Sequence, residues 1–276
     1  MKRLSLTDVG TVIVLLIGLV FTVIPFVYMI SSSFKTNTEI FSIPITYIPK
    51  HFRLDNYARL FHEIPFARQY LNSTFLATVQ TLGVLVIASL SAFGYAMYRF
   101  PGRDVLFVLV LATMMIPQQM GLVPLFILMY RLGWLDSYWA VIVPGLANAF
   151  GIFFLRQVMV ANIPLNLLDA ARIDGASEFT IFARIALPLC KAGLGILGIL
   201  TFMGSWNNFI WPLIVLRSEH MYTVPIGLAS LVNLYRVEYG MVMAGSLLAT
   251  LPALIMLTLL GQRYFVSGIA LGAIKG

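Results

Sequence analysis

The chain has 276 residues, 60% hydrophobic and only 11% charged, and its mean hydropathy is +0.91. A soluble domain carries about 25% charged residues, so this composition excludes a single aqueous core and makes lipid the main solvent. The net charge of +7 comes from basic residues scattered among the loops, which argues against the one-sided basic face of a nucleic-acid binder.

Six uncharged runs reach the length of about 20 residues that a hydrocarbon core requires. They fall at approximately 9–31, 71–98, 105–130, 138–155, 192–216 and 240–262, and the whole chain reads as one all-α membrane domain. The first run exceeds the roughly 7–15 residues of a signal-peptide core and is followed by no A-x-A site, so it is expected to be a retained span. Pro25, Pro117, Pro124, Pro144, Pro212 and Pro252 lie inside the runs. There they are expected to kink helices whose neighbours satisfy the freed carbonyls. Ala88, Ala92 and Ala96 give the second span a small face for close helix approach. Between the first two spans, residues 32–70 form either a small extracytoplasmic cap or a linker.

An even number of spans puts both termini on one side. Lys2, Arg3, Arg263 and Lys275 at the ends, Arg99 and Arg103 in a short turn, and Arg156, Arg172, Arg184 and Lys191 around a longer loop share that side. Across the membrane stand Arg131, Arg217 and Arg236, together with five basic residues in the 32–70 interval. The bias places the termini and the 161–190 loop in the cytoplasm.

Several chemistries are missing. No G-x-x-x-x-G-K-[ST] stretch offers a P-loop. Gly193, Gly195 and Gly198 match G-x-G-x-x-G literally, but inside a membrane run with no strand before them and no acidic partner after, so they read as packing glycines. The single cysteine, Cys190, allows no intramolecular disulfide and no multi-thiolate metal site, and reads as a small packed residue. His51, His62 and His220 are far apart in loops and have no ligand or triad spacing. The Asn72-Ser73-Thr74 sequon abuts the second span and is discounted. No catalytic residue and no cofactor or metal site is expected.

The spans also hold almost no ionisable group, which ion-coupled carriers use as their coupling device. Their polarity is amide and aromatic: Gln118 and Gln119 in the third run, Asn148 in the fourth, and Trp206, Asn207 and Asn208 in the fifth. Such groups suit a hydroxyl-rich neutral solute, and they equally suit interhelical hydrogen bonding. With neither an ATP site nor an ion-coupling group, uphill transport would need an energising partner.

The stretch Asp169–Pro188, DAARIDGASEFTIFARIALP, is the long polar interval of the second half. Pro164 suits a first helical turn, and Leu167, Leu168 and Ala171 give that helix an apolar stripe. Asp174-Gly175 predicts a turn with positive φ at the glycine. Ser177 is placed to cap a second helix and Glu178 to meet its dipole. Phe179, Phe182 and Ile185 carry the helical pattern on to Pro188, which is expected to close it. Two short helices around a glycine turn, with small residues at Ala170, Ala171, Gly175 and Ala176, form a compact knob that another protein can approach.

This segment resembles the EAA motif, E-A-A-x-x-D-G-A followed by I-x-L-P, of the inner-membrane permease subunits of binding-protein-dependent ABC importers. Ala170, Ala171, Asp174, Gly175, Ala176, Ile185, Leu187 and Pro188 match, and Asp169 stands where glutamate is usual. SSSFKTNTEIF (31–41), DNYARLF (55–61), WNNFIWPLIVL (206–216), TVPIGLASL (223–231) and QRYFVSGIALGAIKG (262–276) are similar to maltose-type carbohydrate permeases, in particular the second and shorter one. The resemblance implies a six-span subunit paired with a homologous permease in a bacterial or archaeal cytoplasmic membrane. It implies a pair of ATPase subunits carrying ATP and magnesium, and an extracytoplasmic sugar-binding protein. The segment 169–188 would be the coupling helix seated on an ATPase, and Gly272–Gly276 could reach toward the same interface. A permease for another solute, such as glycerol phosphate, and a secondary carrier are the alternatives; a phosphate-bearing solute would call for arginine within the spans, and the six runs contain none.

Overall fold

The computed structural model describes residues 6–232, 237–256 and 258, and every named element within them is helical. The first half holds α1 (Leu6–Ser33), α2 (Asn37–Ile40), α3 (Asp55–Glu63), α4 (Phe66–Met97), α5 (Arg103–Met114) and α6 (Leu122–Arg131), with a 3-10 turn at Gln118–Gly121. There follow α7 (Tyr138–Leu146), α8 (Ala149–Asn162), α9 (Leu165–Ile173), α10 (Glu178–Ile181), α11 (Leu187–Leu189) and α12 (Lys191–Trp206). Last come α13 (Ile210–Val215), α14 (Val224–Ser230) and α15 (Tyr239–Met256).

Among the described residues, four helical stretches are long and apolar enough to cross a membrane: Gly10–Ser33, Phe66–Met97, Tyr138–Asn162 and Tyr239–Met256. Two bent pairs raise the number to six if each is one span. The rest of the sixth run beyond Met256, apart from Thr258, lies outside the described residues, as do Lys2, Arg3, Arg236, Arg263, Lys275 and the tail Gly272–Gly276.

Three runs that look continuous in the sequence are broken. In the third, α5 meets the 3-10 turn and α6 at 93°. Pro117 precedes that turn, and its ring pushes the residue before it out of the helical region while removing a backbone donor. In the fourth, α7 gives way to α8 at Ala147–Asn148, and α8 runs on to Asn162, so that Arg156 lies within the helix rather than beyond it. In the fifth, α12 stops at Trp206 and α13 starts at Ile210. The prolines divide accordingly. Pro25, Pro144 and Pro252 sit inside helices. Pro124 and Pro212 are instead the third residues of α6 and α13, where the missing N–H has no intrahelical partner to lose.

Contacts divide the described residues into two compact units, one built from those up to 67 and from 227 to 251, the other from 68–226 with those from 252 on. In the first, the 32–67 interval is ordered by buried polar contacts, which favours a cap over a linker. Asn56 donates to the carbonyls of Ser33 and Lys35, both at 2.8 Å. Lys35 is buried, donates to the Thr46 carbonyl and lies 5.7 Å from the Tyr28 ring centroid. Burial pushes its ammonium below the ordinary lysine range. Leu60 is fully buried, and Arg59 bridges Glu63 and Glu238 at 2.8 and 3.0 Å.

The second unit has two apolar clusters. One gathers Val84, Ala88, Ala92 and Phe93 of α4, Leu155 and Met159 of α8, Leu197 of α12, and Leu168, Ile181, Phe182, Ala186 and Cys190 of the intervening loop. The alanine face of α4 works as its spacing predicts: a Cβ added at Gly151 of α8 would lie 3.3 Å from that of Ala88. The other joins Leu76, Met129, Ala140–Ile142, Trp211 and Val215, with the Trp211 indole donating to the Ala140 carbonyl at 2.9 Å. The sequon residue Asn72 is buried, its amide donating to the carbonyls of His220 and Tyr222 and accepting from the Tyr138 hydroxyl. Among the described residues no group of three or more His, Cys, Asp or Glu side chains could hold a metal ion.

Candidate functional site

The loop 161–190 is built as two short helices around a capped turn. Pro164 is the residue before the first turn of α9 rather than within it. At the other end of α9, the Gly175 amide donates to the Arg172 carbonyl and the Ala176 amide to the Ala171 carbonyl, both at 3.0 Å. That is the pair of bonds of a Schellman cap, which needs a left-handed residue after the helix. Gly175 supplies it with φ +82°, and no atom lies within 4 Å of where its Cβ would be. The glycine is therefore required by backbone conformation and not by lack of space. Ser177 then caps α10, its hydroxyl accepting the Thr180 amide at 3.3 Å.

The helical path does not end at Pro188. A π-helical turn, Phe182–Ala186, leads into α11, and the break comes at Cys190, where the path bends by 79° into α12. Proline has no N–H to return to the carbonyl four residues back, and a wider turn just upstream is a common response. Leu168, Ile181, Phe182 and Ala186 are buried in the cluster with α4, α8 and α12. Leu167 is exposed, as are Leu165, Ile173 at 86% and Phe179 at 73%. The loop thus grips the helices with one apolar face and presents a second one, flanking the exposed Gly175, to the outside.

A charged network braces this knob. Arg172 of α9 binds the Asp169 carboxylate at 2.9 Å and the Glu178 carboxylate at 2.8 Å, and Glu178 accepts the hydroxyl of Tyr98, the residue after α4. Its hydrogen bond to Glu178, with Asp169 adding, pushes the Arg172 guanidinium above the ordinary arginine range. Arg172 also lies 5.9 Å from the Tyr98 ring centroid. Of the expected docking residues, Asp169, Ala170, Ala171, Asp174, Gly175 and Ala176 lie at the turn braced by Arg172, Glu178 and Tyr98. Ile185, Leu187 and Pro188 lie on the π turn and α11, where Ile185 and Leu187 pack against the same apolar cluster as Ala171 and Ala176.

Every candidate path residue falls at a helix break. Gln118 and Gln119 form the exposed 3-10 turn at the 93° bend. Asn148 is the N-cap of α8, its side-chain oxygen accepting the Gly151 amide at 2.7 Å. Trp206, Asn207 and Asn208 occupy the break after α12. Trp206 is buried, edge-on to Tyr70 and stacked with Phe202, and the Asn207 amide turns back to the Met203 carbonyl at 2.9 Å. Beside it the Ser205 hydroxyl donates to Gln80 of α4 at 2.7 Å.

The family model described as "Binding-protein-dependent transport system inner membrane component" matches residues 66–269. The chain belongs to that family. As a permease component it is 42% identical over 256 residues to the arabinooligosaccharides transport system permease protein AraQ of Bacillus subtilis (strain 168), covering 91% of this chain and 90% of that protein. It is 36% identical to the lactose transport system permease protein LacG of Rhizobium radiobacter, over 99% of this chain and 98% of that one. A more distant relative, at 31% over 95% of each chain, is the sn-glycerol-3-phosphate transport system permease protein UgpE of Yersinia enterocolitica. Among solved structures, a chain of a bacterial ABC transporter involved in the import of the acidic polysaccharide alginate superposes with a TM-score of 0.82 at 25% identity, covering 96% of this chain and all of that one.

In this permease component, sequence reasoning reached the turn but not its braces. Arg172 fills a variable position of the motif, and Tyr98 lies 80 residues before its partner Glu178; only the three-dimensional packing joins them. Gln80 was equally hidden, since it stands in the middle of an apolar run with nothing to mark its partner.

Proposed function

We propose that this permease forms half of the translocation path of an ATP-driven importer for a sugar or oligosaccharide, paired with a homologous permease. The 161–190 loop is the seat for a separate ATPase, which binds ATP and magnesium, and an extracytoplasmic binding protein delivers the solute. The observation that carries the coupling role is the capped turn at Gly175, a rigid knob flanked by exposed Ile173 and Phe179. Exposed apolar residues around small ones are what a partner's cleft can enclose. The sugar assignment draws on the two relatives named for arabino-oligosaccharides and lactose.

In this reading the loop faces the cytoplasm, with both termini on the same side. The breaks at Gln118–Gln119, Asn148 and Trp206–Asn208 line the path, because irregular backbone inside a membrane is tolerated where it borders protein or a wet cavity. The exposed apolar length of α1, with Val14 and Phe21 among its open side chains, is left for lipid and the partner permease.

A phosphate-bearing solute is the second reading, suggested by the glycerol-3-phosphate relative and by Arg156 inside the fourth span. Arg156 is engaged only in part, its buried Nε having no hydrogen-bond partner among the described residues. Its guanidinium lies 4.3 Å from the Phe107 ring centroid and donates to Gln157 at 3.0 Å.

The test is purification of the tagged chain in mild detergent from its host. A second permease and an ATPase should accompany it. The associated binding protein is then screened against arabino-oligosaccharides, lactose and glycerol 3-phosphate. A monodisperse lone chain would remove the importer reading, and selective capture of glycerol 3-phosphate would replace the sugar.

A further inference from the structure

We infer that Tyr98 is a positioning residue for energy coupling: its hydroxyl ties the docking turn to the end of α4, and Arg172 completes the tie by holding Glu178 and Asp169. The inference rests on the reading of the loop as an ATPase seat.

The four groups come from three separate places, the end of α4, the helix α9 and the first residue of α10. The other attachments of the loop are apolar, through Leu168, Ile181, Phe182 and Ala186, and apolar contact is non-directional. A buried greasy face lets a loop slide; hydrogen bonds to a carboxylate fix where it sits. Stability does not account for the network. The side chains of Arg172, Asp169 and Glu178 are 34%, 65% and 48% exposed, and exposed ion pairs contribute little.

What lies at the other end of α4 gives the tie its use. The helix is continuous from Phe66 to Met97 with no proline, which suits it to carry a displacement along its length. At 1.5 Å per residue, Gln80 stands about 27 Å from Tyr98 along that helix, and Gln80 is bonded to Ser205 beside the break at Trp206–Asn208. Further on, Asn72 holds the carbonyls of His220 and Tyr222. A displacement of the docking turn held by Tyr98 is therefore delivered along α4 to the break in the fifth span. Without the hydroxyl the turn still packs and still offers its exposed face, but it can shift without carrying α4 with it.

Tyr98→Phe keeps the ring, which packs edge-on against Phe93 at 5.6 Å, and removes only the hydroxyl. The variant is assembled with its partner permease, ATPase and binding protein, placed in liposomes, and compared with the unaltered importer. The readouts are ATPase retained on purification, ATP hydrolysed, and uptake of whichever labelled arabino-oligosaccharide or lactose the unaltered importer carries. Assembly and hydrolysis should be preserved, and uptake per ATP should fall about tenfold, the scale of one lost hydrogen bond to a charged group. Glu178→Ala should fall similarly, and the double variant no further, because the two residues act as one link. Unchanged uptake per ATP in Tyr98→Phe would overturn the inference, and so would loss of the ATPase, which would make Tyr98 an assembly residue. Ile173→Asp separates the underlying reading: if that variant keeps its ATPase, the loop is not the seat, whatever Tyr98 does.

Discussion

The Asp136 carboxylate accepts the backbone amide of Ser218 at 3.0 Å and also its hydroxyl. With the Arg217 amide at 2.9 Å, this fastens the turn after α6 to the segment after α13. Asp136 adopts φ +58° to do so, a conformation that Asp and Asn tolerate better than most residues. Burial alone would raise its pKa, but the hydrogen bonds from Ser218 and Arg217 outweigh it and hold the carboxyl below the usual range. A depressed folded-state value means the contribution is complete above the unfolded value of about 3.9 and is lost as pH falls through the folded value. Thermal unfolding of the detergent-solubilised permease should therefore lose stability on acidification below about pH 4. Asp136→Asn should lower stability at pH 7 by about 1–3 kcal/mol and remove this part of the acid dependence.

At Gly175 only conformation is at stake, since nothing crowds its Cβ position. Gly175→Val should insert and assemble but hydrolyse ATP without matching uptake, because a β-branched residue resists positive φ. Gly175→Asn should keep most of the uptake, as Asn enters the left-handed region readily. Equal loss in both variants would show that something other than φ matters there.

Gly193 tests the packing role of the glycine-rich run. An added Cβ would sit 2.8 and 2.9 Å from the two Val158 methyls. Gly193→Ala should cost about 1–3 kcal/mol from overpacking, offset in part by roughly 1 kcal/mol of helix propensity. On a Val158→Ala background the two methyls are gone and only the Cβ contact at 3.3 Å remains, so the same substitution should cost less, with the helix-propensity gain offsetting more of it. Thermal midpoints of the four proteins give the difference directly.

Asn148 is bound to α8 through its side-chain oxygen. Asn148→Ala should cost about 1 kcal/mol as a lost N-cap, whereas Asn148→Ser keeps an oxygen acceptor without placing a charge inside the span and should match the parent in stability. If Ser preserves stability but abolishes uptake, the amide N–H groups contact solute.

What the sequence made legible follows the range of the interactions. The glycine turn, the Ser177 cap and the alanine face of α4 each depend on residues within a few positions, and local backbone physics is enough to read them. At Pro188 the helix runs one residue past the expected end, to Leu189, because the π turn Phe182–Ala186 absorbs the proline while Phe182 and Ala186 are anchored in the core. Gly10–Ser33 stays continuous despite Pro25, whereas Pro117 marks a 93° bend. Pro25 sits between Ile24 and Phe26, whereas Pro117 is followed by Gln118, Gln119, Met120 and Gly121, a polar and glycine-containing stretch that turns as a 3-10 helix. Arg172 stands three residues after Asp169, a local helical ion-pair spacing, whereas Tyr98 had no local mark, because its partner Glu178 is brought to it only by tertiary packing.

Cys190, the sole thiol of the chain, lies 1% exposed at the bend beneath the docking loop. It is packed in the apolar cluster shared by the loop, α4, α8 and α12, so a movement that opened this cluster would expose the one thiol of the chain to a maleimide. Within this chain, labelling of that thiol needs neither an engineered cysteine nor the removal of native ones, and its rate would report how tightly the docking loop is packed against the helices.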